Sequence, residues 1–318
     1  YTAKYVPSEL PKPWKVFSSY KAGNIIAFMD NLMNNILYRN RYDELSAHVA
    51  AGLNAQTVFS DYPPEDLVGC DTFAVIDQIL IKWLVERLMA EDTGAKLDEL
   101  TIPQLCEKRS KMHFGEKAGS RYQMLSSAYQ MIQAGNYHCP DSFKDILRQY
   151  QETDSGLDYE YRRFYSSYDQ IEDTTGFEPL RDLVENIYTN EYLETLLPKW
   201  NNAMQEPDAF TQLPLQRDFY ARNVKNVKER TVVIISDAMR YEVGKELFRR
   251  MQDDPKCSAK LEVQLSVLPS YTRLGMAALL PHTELTMTDD FKVLVDGLPC
   301  DNLSEREAIL QKYNADAV

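Results

Sequence analysis

The chain has 318 residues, 44% of them hydrophobic, a net charge of −13 and a pI of about 4.9. That length supports two domains and a sizeable core, and the acidic balance excludes a protein that grips nucleic acid through bulk charge. No apolar run of about 18 residues and no signal-like segment occurs, so a soluble cytoplasmic protein without a membrane span is expected.

Residues 1–20, with Pro7, Pro11 and Pro13, read as an extended arm docked by Trp14 and Phe17. Residues 21–40 predict a helix, with Ile25, Met29, Leu32, Met33 and Ile36 at spacings of three and four. A helix over 43–53 follows, and 59–70, holding Pro63 and Pro64, reads as a loop. The strongest helical stripe spans 72–91 through Phe73, Ile76, Ile79, Leu80, Trp83 and Leu84, capped by Asp71 or Thr72. It suits a core position better than a partner groove. Two helices over 101–112 and 120–134 flank a turn at 115–119. His113 lacks a spaced partner and reads as structural, and the adjacent His138 and Cys139 do not make a metal site.

Helices over 142–150 and 157–171 come next. In the second, Tyr161, Phe164, Tyr165 and Tyr168 fall at helical spacings beside Arg162 and Arg163. A nucleic-acid stacking platform is one reading, and a core stripe the better one. Residues 177–204 predict one long helix or two, broken near Pro198. The basic stretch 207–230, with Arg217, Arg222, Lys225, Lys228 and Arg230, reads as a solvated linker helix rather than a guide for phosphate.

Residues 231–281 carry the chemistry. Val232 to Ile235 is a β-branched run that predicts a strand buried on both faces. Val243, Leu247 and Met251 mark a helix, 261–268 a second strand, and Leu274, Ala277, Ala278 and Leu280 a second helix. Strand, helix, strand, helix predicts a right-handed crossover in a parallel sheet. Asp237 and Thr272 then fall at the carboxyl ends of neighbouring strands, where open α/β sheets bind ligands. A carboxylate beside a hydroxyl there suits a metal-activated nucleophile acting on phosphate. The plainer alternative is that each residue caps the helix after it.

The segments Ile234 to Glu242 (IISDAMRYE) and Leu268 to Pro281 (LPSYTRLGMAALLP) resemble the PglZ family, an alkaline phosphatase superfamily branch of BREX anti-phage systems. Residues 83–88, 90–96, 102–115 and 182–197 resemble the helical part of the same proteins. The resemblance implies Asp237 as a metal ligand, Thr272 as nucleophile and metal ligand, and a divalent cation, zinc first. It implies a phosphate ester substrate, nucleic acid among the candidates, and other BREX proteins as partners. Arg240 and Arg273 stand where they would contact phosphate oxygens. The superfamily's later Asp-His pair has no counterpart, since the histidines are His48, His113, His138 and His282. The chain therefore reads as a piece of a longer protein, inactive alone, whose remaining ligands lie elsewhere.

Residues 286–299 read as loops whose Asp289, Asp290 and Asp296 sit in solvated turns rather than a metal site, and Ser304 with Glu307 predicts a capping box for a last helix. Cys70, Cys106, Cys139, Cys257 and Cys300 are too dispersed for a zinc finger and read as reduced thiols. The expected architecture is an all-helical domain over 1–206, a linker helix over 207–229, and over 230–318 the incomplete start of a three-layer α/β/α domain of alkaline phosphatase type. The charge is uneven, with 20 basic and 31 acidic residues in 1–206 against 15 and 17 afterwards. Two functions fit: a metal-dependent phosphohydrolase with a threonine nucleophile, or a non-catalytic scaffold that docks defence proteins on the acidic helices.

Overall fold

Helical spacing of apolar side chains builds most of what the computed structural model describes, residues 1–211 and 213–315. The described residues form two compact units, one from 1–138 and 156–197 and the other from 139–155 and 198 onward.

In the first unit the predicted stripe becomes the helix Val75–Met89, which buries Ile76, Leu80, Leu84 and Leu88. It packs on Gly119–Gln133, which in turn packs on Ile102–Ser110. Thr101 caps the latter in a reciprocal box with Gln104. Asp71 does not cap Val75–Met89, whose N-cap is Ala74. Its carboxylate instead accepts the amides of His113 (2.5 Å) and Phe114 (3.1 Å), starting a short helix, His113–Lys117, where a turn was expected.

Between these helices lies a fully buried charge pair. The Arg109 guanidinium donates twice to Asp77, Nε to Oδ1 at 3.0 Å and Nη2 to Oδ2 at 2.8 Å, and also to the carbonyl of Cys70 at 2.8 Å. The Tyr122 hydroxyl donates to the same carboxylate at 2.5 Å. A bidentate pair satisfied this completely is a structural knot. His113 is likewise structural, buried against Asp43 at 2.5 Å, while Lys117 pairs with Asp43 from outside.

Several local expectations change. The helix Ala22–Asn34 forms, yet none of its residues is fully buried. Trp14 does dock, edge-on to Phe59 at 5.7 Å, whereas Phe17 is 71% exposed. The supposed loop over 59–70 holds the end of a helix, Ala55–Ser60, and a turn of helix, Pro64–Leu67. Pro64 opens the latter at a position where a proline's missing N–H costs nothing. The tyrosines over 157–171 spend their rings on one another. Tyr161 stacks on Tyr188 at 3.7 Å, and Tyr161 and Tyr165 both donate to Glu185 at 2.7 Å. That favours the core stripe over the stacking platform. Of the cysteines, Cys257 is exposed and the others buried. No helix among the described residues is long and apolar enough to cross a membrane.

In the second unit, Ser142 caps Phe143–Gln149, which runs into a π-helical turn, Tyr150–Asp154. Phe143 stacks on Trp200 of the helix Glu194–Ala203, which continues through Pro198 instead of breaking there. Among the described residues the linker region is helical over Ala209–Thr211, Gln216–Asp218 and Phe219–Asn223. Among the described residues the expected parallel sheet is not seen. Val232 to Ile235 belongs to no strand and is exposed, Ile234 by 86%. Of 261–268, Leu265 alone makes a bridge, and its parallel partner is Leu215. A lone pair of parallel segments cannot cover its own faces and edges.

The sheet that does form is antiparallel, Leu285–Met287, Val293–Val295 and Leu298–Pro299, in a stretch read as loops. Asp296 and Gly297, both with positive φ (49° and 76°), make the tight hairpin. The Asp296 carboxylate is taken up by local hydrogen bonds. One carboxylate oxygen accepts the amides of Thr283 and Glu284, and the other the Tyr313 hydroxyl. Hydrogen bonds donated by the Glu284 and Thr283 amides hold its pKa below the usual carboxylate range. The last helix, Leu303–Tyr313, is boxed by Asn302 and Glu305, two residues earlier than the Ser304 and Glu307 pattern.

Candidate functional site

Asp237 sits in an exposed turn, not on a strand end and not at a helix cap. The amide of Met239 reaches the carbonyl of Ser236 at 3.4 Å, and Ala238 takes φ of +57°. Side chains with a Cβ pay roughly 1 kcal/mol or more for that left-handed backbone, so the turn is held against its own preference. The carboxylate of Asp237 accepts the Ala238 amide at 3.0 Å and otherwise faces solvent. Glycine at Ala238 should relieve the strain and stabilise the protein by about 1 kcal/mol in urea unfolding. A loss of stability on that change would rule out the left-handed turn.

The next helix, Tyr241–Gln252, begins four residues after Asp237, with Arg240 as N-cap. Its first turns are anchored. Lys245 donates to the carbonyl of Gln151 at 2.5 Å and to the Ser155 hydroxyl at 3.1 Å, and Tyr241 leans on Tyr150 at 5.8 Å. Burial pushes the Lys245 pKa down. Glu242, one turn earlier on the same helix, has a side chain with no exposed area and accepts from Nε of Arg240 at 2.9 Å.

Thr272 is the first residue of the helix Thr272–Ala278, exposed, and it too is not the cap, a position held by Tyr271. Leu274 and Ala277 fix the helix onto a core of Val293, Val295, Cys300 and Ile309. Gln216 fastens it from the other side. Its amide nitrogen donates to the carbonyl of Gly275 at 3.2 Å, and its amide oxygen accepts from Val267 at 3.1 Å. Gln216 also extends the bridge at Leu215, its own N–H donating to Leu265 at 2.8 Å. Sequence reasoning missed this glutamine, because an isolated polar residue in a basic segment carries no pattern. It missed Glu242 as well, although the glutamate lies inside the quoted motif. Arg273 lies within 3.7 Å of Asp301, a loose, half-exposed pair.

A divalent cation needs several donors converging on one point. Asp237 and Thr272 offer oxygen donors of the right hardness, but among the described residues no three His, Cys, Asp or Glu side chains converge. The residues present do not by themselves fit a metal site.

Residues 219–318, which hold both segments, match the family model described as the BREX system PglZ alkaline phosphatase-like domain. This last third of the chain is thus alkaline phosphatase-like. Similarity extends over the helical part too. The chain is 34% identical to the alkaline phosphatase-like protein PglZ of Bacillus cereus (strain H3081.97), over 97% of its own length and 37% of that protein. It is 31% identical to the alkaline phosphatase-like protein BrxZ of Escherichia coli O9:H4 (strain HS), over 92% of its length and 36% of that protein. The chain belongs to the PglZ family of BREX systems, and it spans just over a third of the length of these relatives. No solved structure matches it.

Proposed function

We propose that the protein to which these residues belong is a metal-dependent phosphohydrolase of a BREX anti-phage system, acting on a phosphate ester such as a phosphodiester of nucleic acid. Thr272 is the nucleophile and, with Asp237, a ligand of a divalent metal, zinc first. The other ligands lie outside the described residues. Within a three-layer α/β/α domain, the Val232 to Ile235 run would serve as a central strand. Arg240 and Arg273 contact phosphate oxygens, and other BREX proteins are the partners, in the cytoplasm. The observation that carries this reading is the position of the two residues. Both stand exposed just ahead of or at the start of a helix, and neither is the helix cap. The N-cap positions that would otherwise account for them are occupied by Arg240 and Tyr271.

The metal would lower the hydroxyl pKa and screen the phosphoryl charge. What this chain contributes is placement: Gln216 and the core beneath Leu274 hold the threonine helix, and Lys245 holds the helix after Asp237. The test is hydrolysis of a chromogenic phosphodiester and of DNA by the full-length protein with added divalent metals. Thr272→Ala and Asp237→Ala are each expected to lower the rate at least a hundredfold, with unchanged thermal midpoints because both sites are exposed. Activity indifferent to both changes, or none with any metal, would instead favour a scaffold that docks defence proteins through its acidic helices.

A further inference from the structure

Residues 217–230 carry Arg217, Arg222, Lys225, Lys228 and Arg230 against two acids, Asp218 and Glu229, in a chain with 48 acidic residues and 35 basic ones. With acids in such excess, a surface cation ordinarily finds a carboxylate. These do not. All five residues are exposed, and none of their charged groups makes an ion pair or hydrogen bond among the described residues. The Arg222 charge reaches Glu262, but that carboxylate is paired with Lys260. A solvated helix would set such cations against carboxylates one turn away, and here the helix is brief. It runs over Phe219–Asn223, and from 227 to 236 the backbone is neither helix nor strand.

The start of the segment is fixed beside the threonine helix. Leu215 bridges Leu265, and the Gln216 amide side chain donates at 3.2 Å to the carbonyl of Gly275, inside Thr272–Ala278. Tyr220 sets its ring against Tyr313 at 6.1 Å, and Phe219 is half-buried. Arg217 directly follows the residue that grips the helix of Thr272, and the other cations lead away from it along the chain.

We propose that residues 217–230 are a cationic track for a nucleic-acid strand, which they hold by its phosphates and lead to the helix of Thr272. A small anion needs donors that converge on one point. Cations strung along a chain match a polymer whose charge repeats at a fixed interval whatever its sequence. A protein interface is centred on apolar anchors with charge at its rim, and within 217–230 the exposed large apolar side chain is Val227 alone. The net charge of −13 does not oppose such a contact, because charges more than about 8–10 Å away are largely screened at physiological salt. The track rests on the phosphohydrolase reading only for what happens at Thr272.

The probe is a fluorescein-labelled single-stranded oligonucleotide, its binding to the full-length protein followed by anisotropy in EDTA over a range of salt. Each contacted phosphate contributes a slope of about −0.7 in log affinity against log salt, roughly fivefold in affinity at 0.1 M. The triple variant Arg222→Gln, Lys225→Gln, Lys228→Gln should therefore flatten the slope by about 2 and weaken binding about a hundredfold at 0.1 M salt. The loss should be equal for two unrelated sequences, with an unchanged thermal midpoint. Should that variant prove unstable, Arg217→Gln with Arg230→Gln gives a second reading, a slope flatter by about 1.4. Lys82→Gln with Lys96→Gln and Lys108→Gln removes as much charge from exposed positions of the first unit and should leave affinity and slope unchanged.

An equal loss in that control would mean bulk charge and overturn the proposal. So would an unaltered slope in the track variants, or wild-type protein that binds no oligonucleotide. Displacement of the oligonucleotide by polyglutamate at equal charge concentration would overturn it in favour of an acidic protein partner. The phosphohydrolase reading is judged apart, by wild-type protein on the chromogenic phosphodiester, which is too small to reach along the track. Hydrolysis there without oligonucleotide binding would keep the enzyme and remove the track. Binding with the expected slopes and no hydrolysis would keep the track and remove the enzyme.

Discussion

Gly115→Ala should be among the most damaging single-methyl additions this chain can suffer. A Cβ built at Gly115 meets the backbone carbonyl oxygen of Arg109 at 1.8 Å and its carbon at 2.6 Å. Backbone cannot rotate away as a side chain can, so either the His113–Lys117 helix or the end of Ile102–Ser110 must move. Both are committed. Asp71 holds the amides at 113 and 114, and Arg109 is locked by Asp77 and two carbonyls. Overpacking usually costs about 1–3 kcal/mol and occasionally more, and this site belongs at or above the upper end. Urea unfolding should show a loss of about 3 kcal/mol or more, or no soluble protein. A loss below about 1 kcal/mol would mean that the two backbone segments are not in contact.

The second large effect concerns Asp77. Replacing it with Ala leaves Arg109, a side chain with no exposed area, charged in the core without its bidentate partner and with only the Asp71 carboxylate at 3.9 Å. Removing one member of a buried pair costs roughly 3–5 kcal/mol. It also strips the Tyr122 hydroxyl of its acceptor. Replacing both ions with apolar residues of similar volume, Asp77→Leu with Arg109→Met, should recover much of the loss, because no charge is then stranded. The check is a double-mutant cycle in urea. A double variant as unstable as the sum of its parts would show that the pair stabilises the fold by more than removing its own desolvation.

The helices of the first unit were legible because aliphatic periodicity over several turns leaves few alternatives. Ile76, Leu80, Leu84 and Leu88 are buried as a helical stripe should be. What periodicity cannot supply is a partner. The stripe over 22–34 is as regular, yet none of it is fully buried. The same gap explains the strands. Val232 to Ile235 has the composition of a central strand, and composition says nothing about which neighbour pairs with it. The hairpin at Asp296 and Gly297 was the opposite case, a readable turn signal passed over because the stretch around it is rich in acidic residues. At the site, the two motif residues could be located from sequence, since each lies next to a helix start. Their supports could not. Gln216 is 56 residues before Thr272, and only the fold brings its amide to the carbonyl of Gly275.

The second unit is discontinuous: residues 139–155 belong with 198 onward, and 156–197 return to the first unit. On a ribosome, which adds about 5–20 residues per second, the earlier piece is made first and waits. The carbonyl of Gln151 and the hydroxyl of Ser155 exist for several seconds before Lys245 emerges to take them. For the first part of that interval Phe143 also lacks Trp200, which is made only after the first unit's last segment ends at 197. The order of synthesis thus makes residues 139–155 wait for both of these partners, so they settle into place well after they are made.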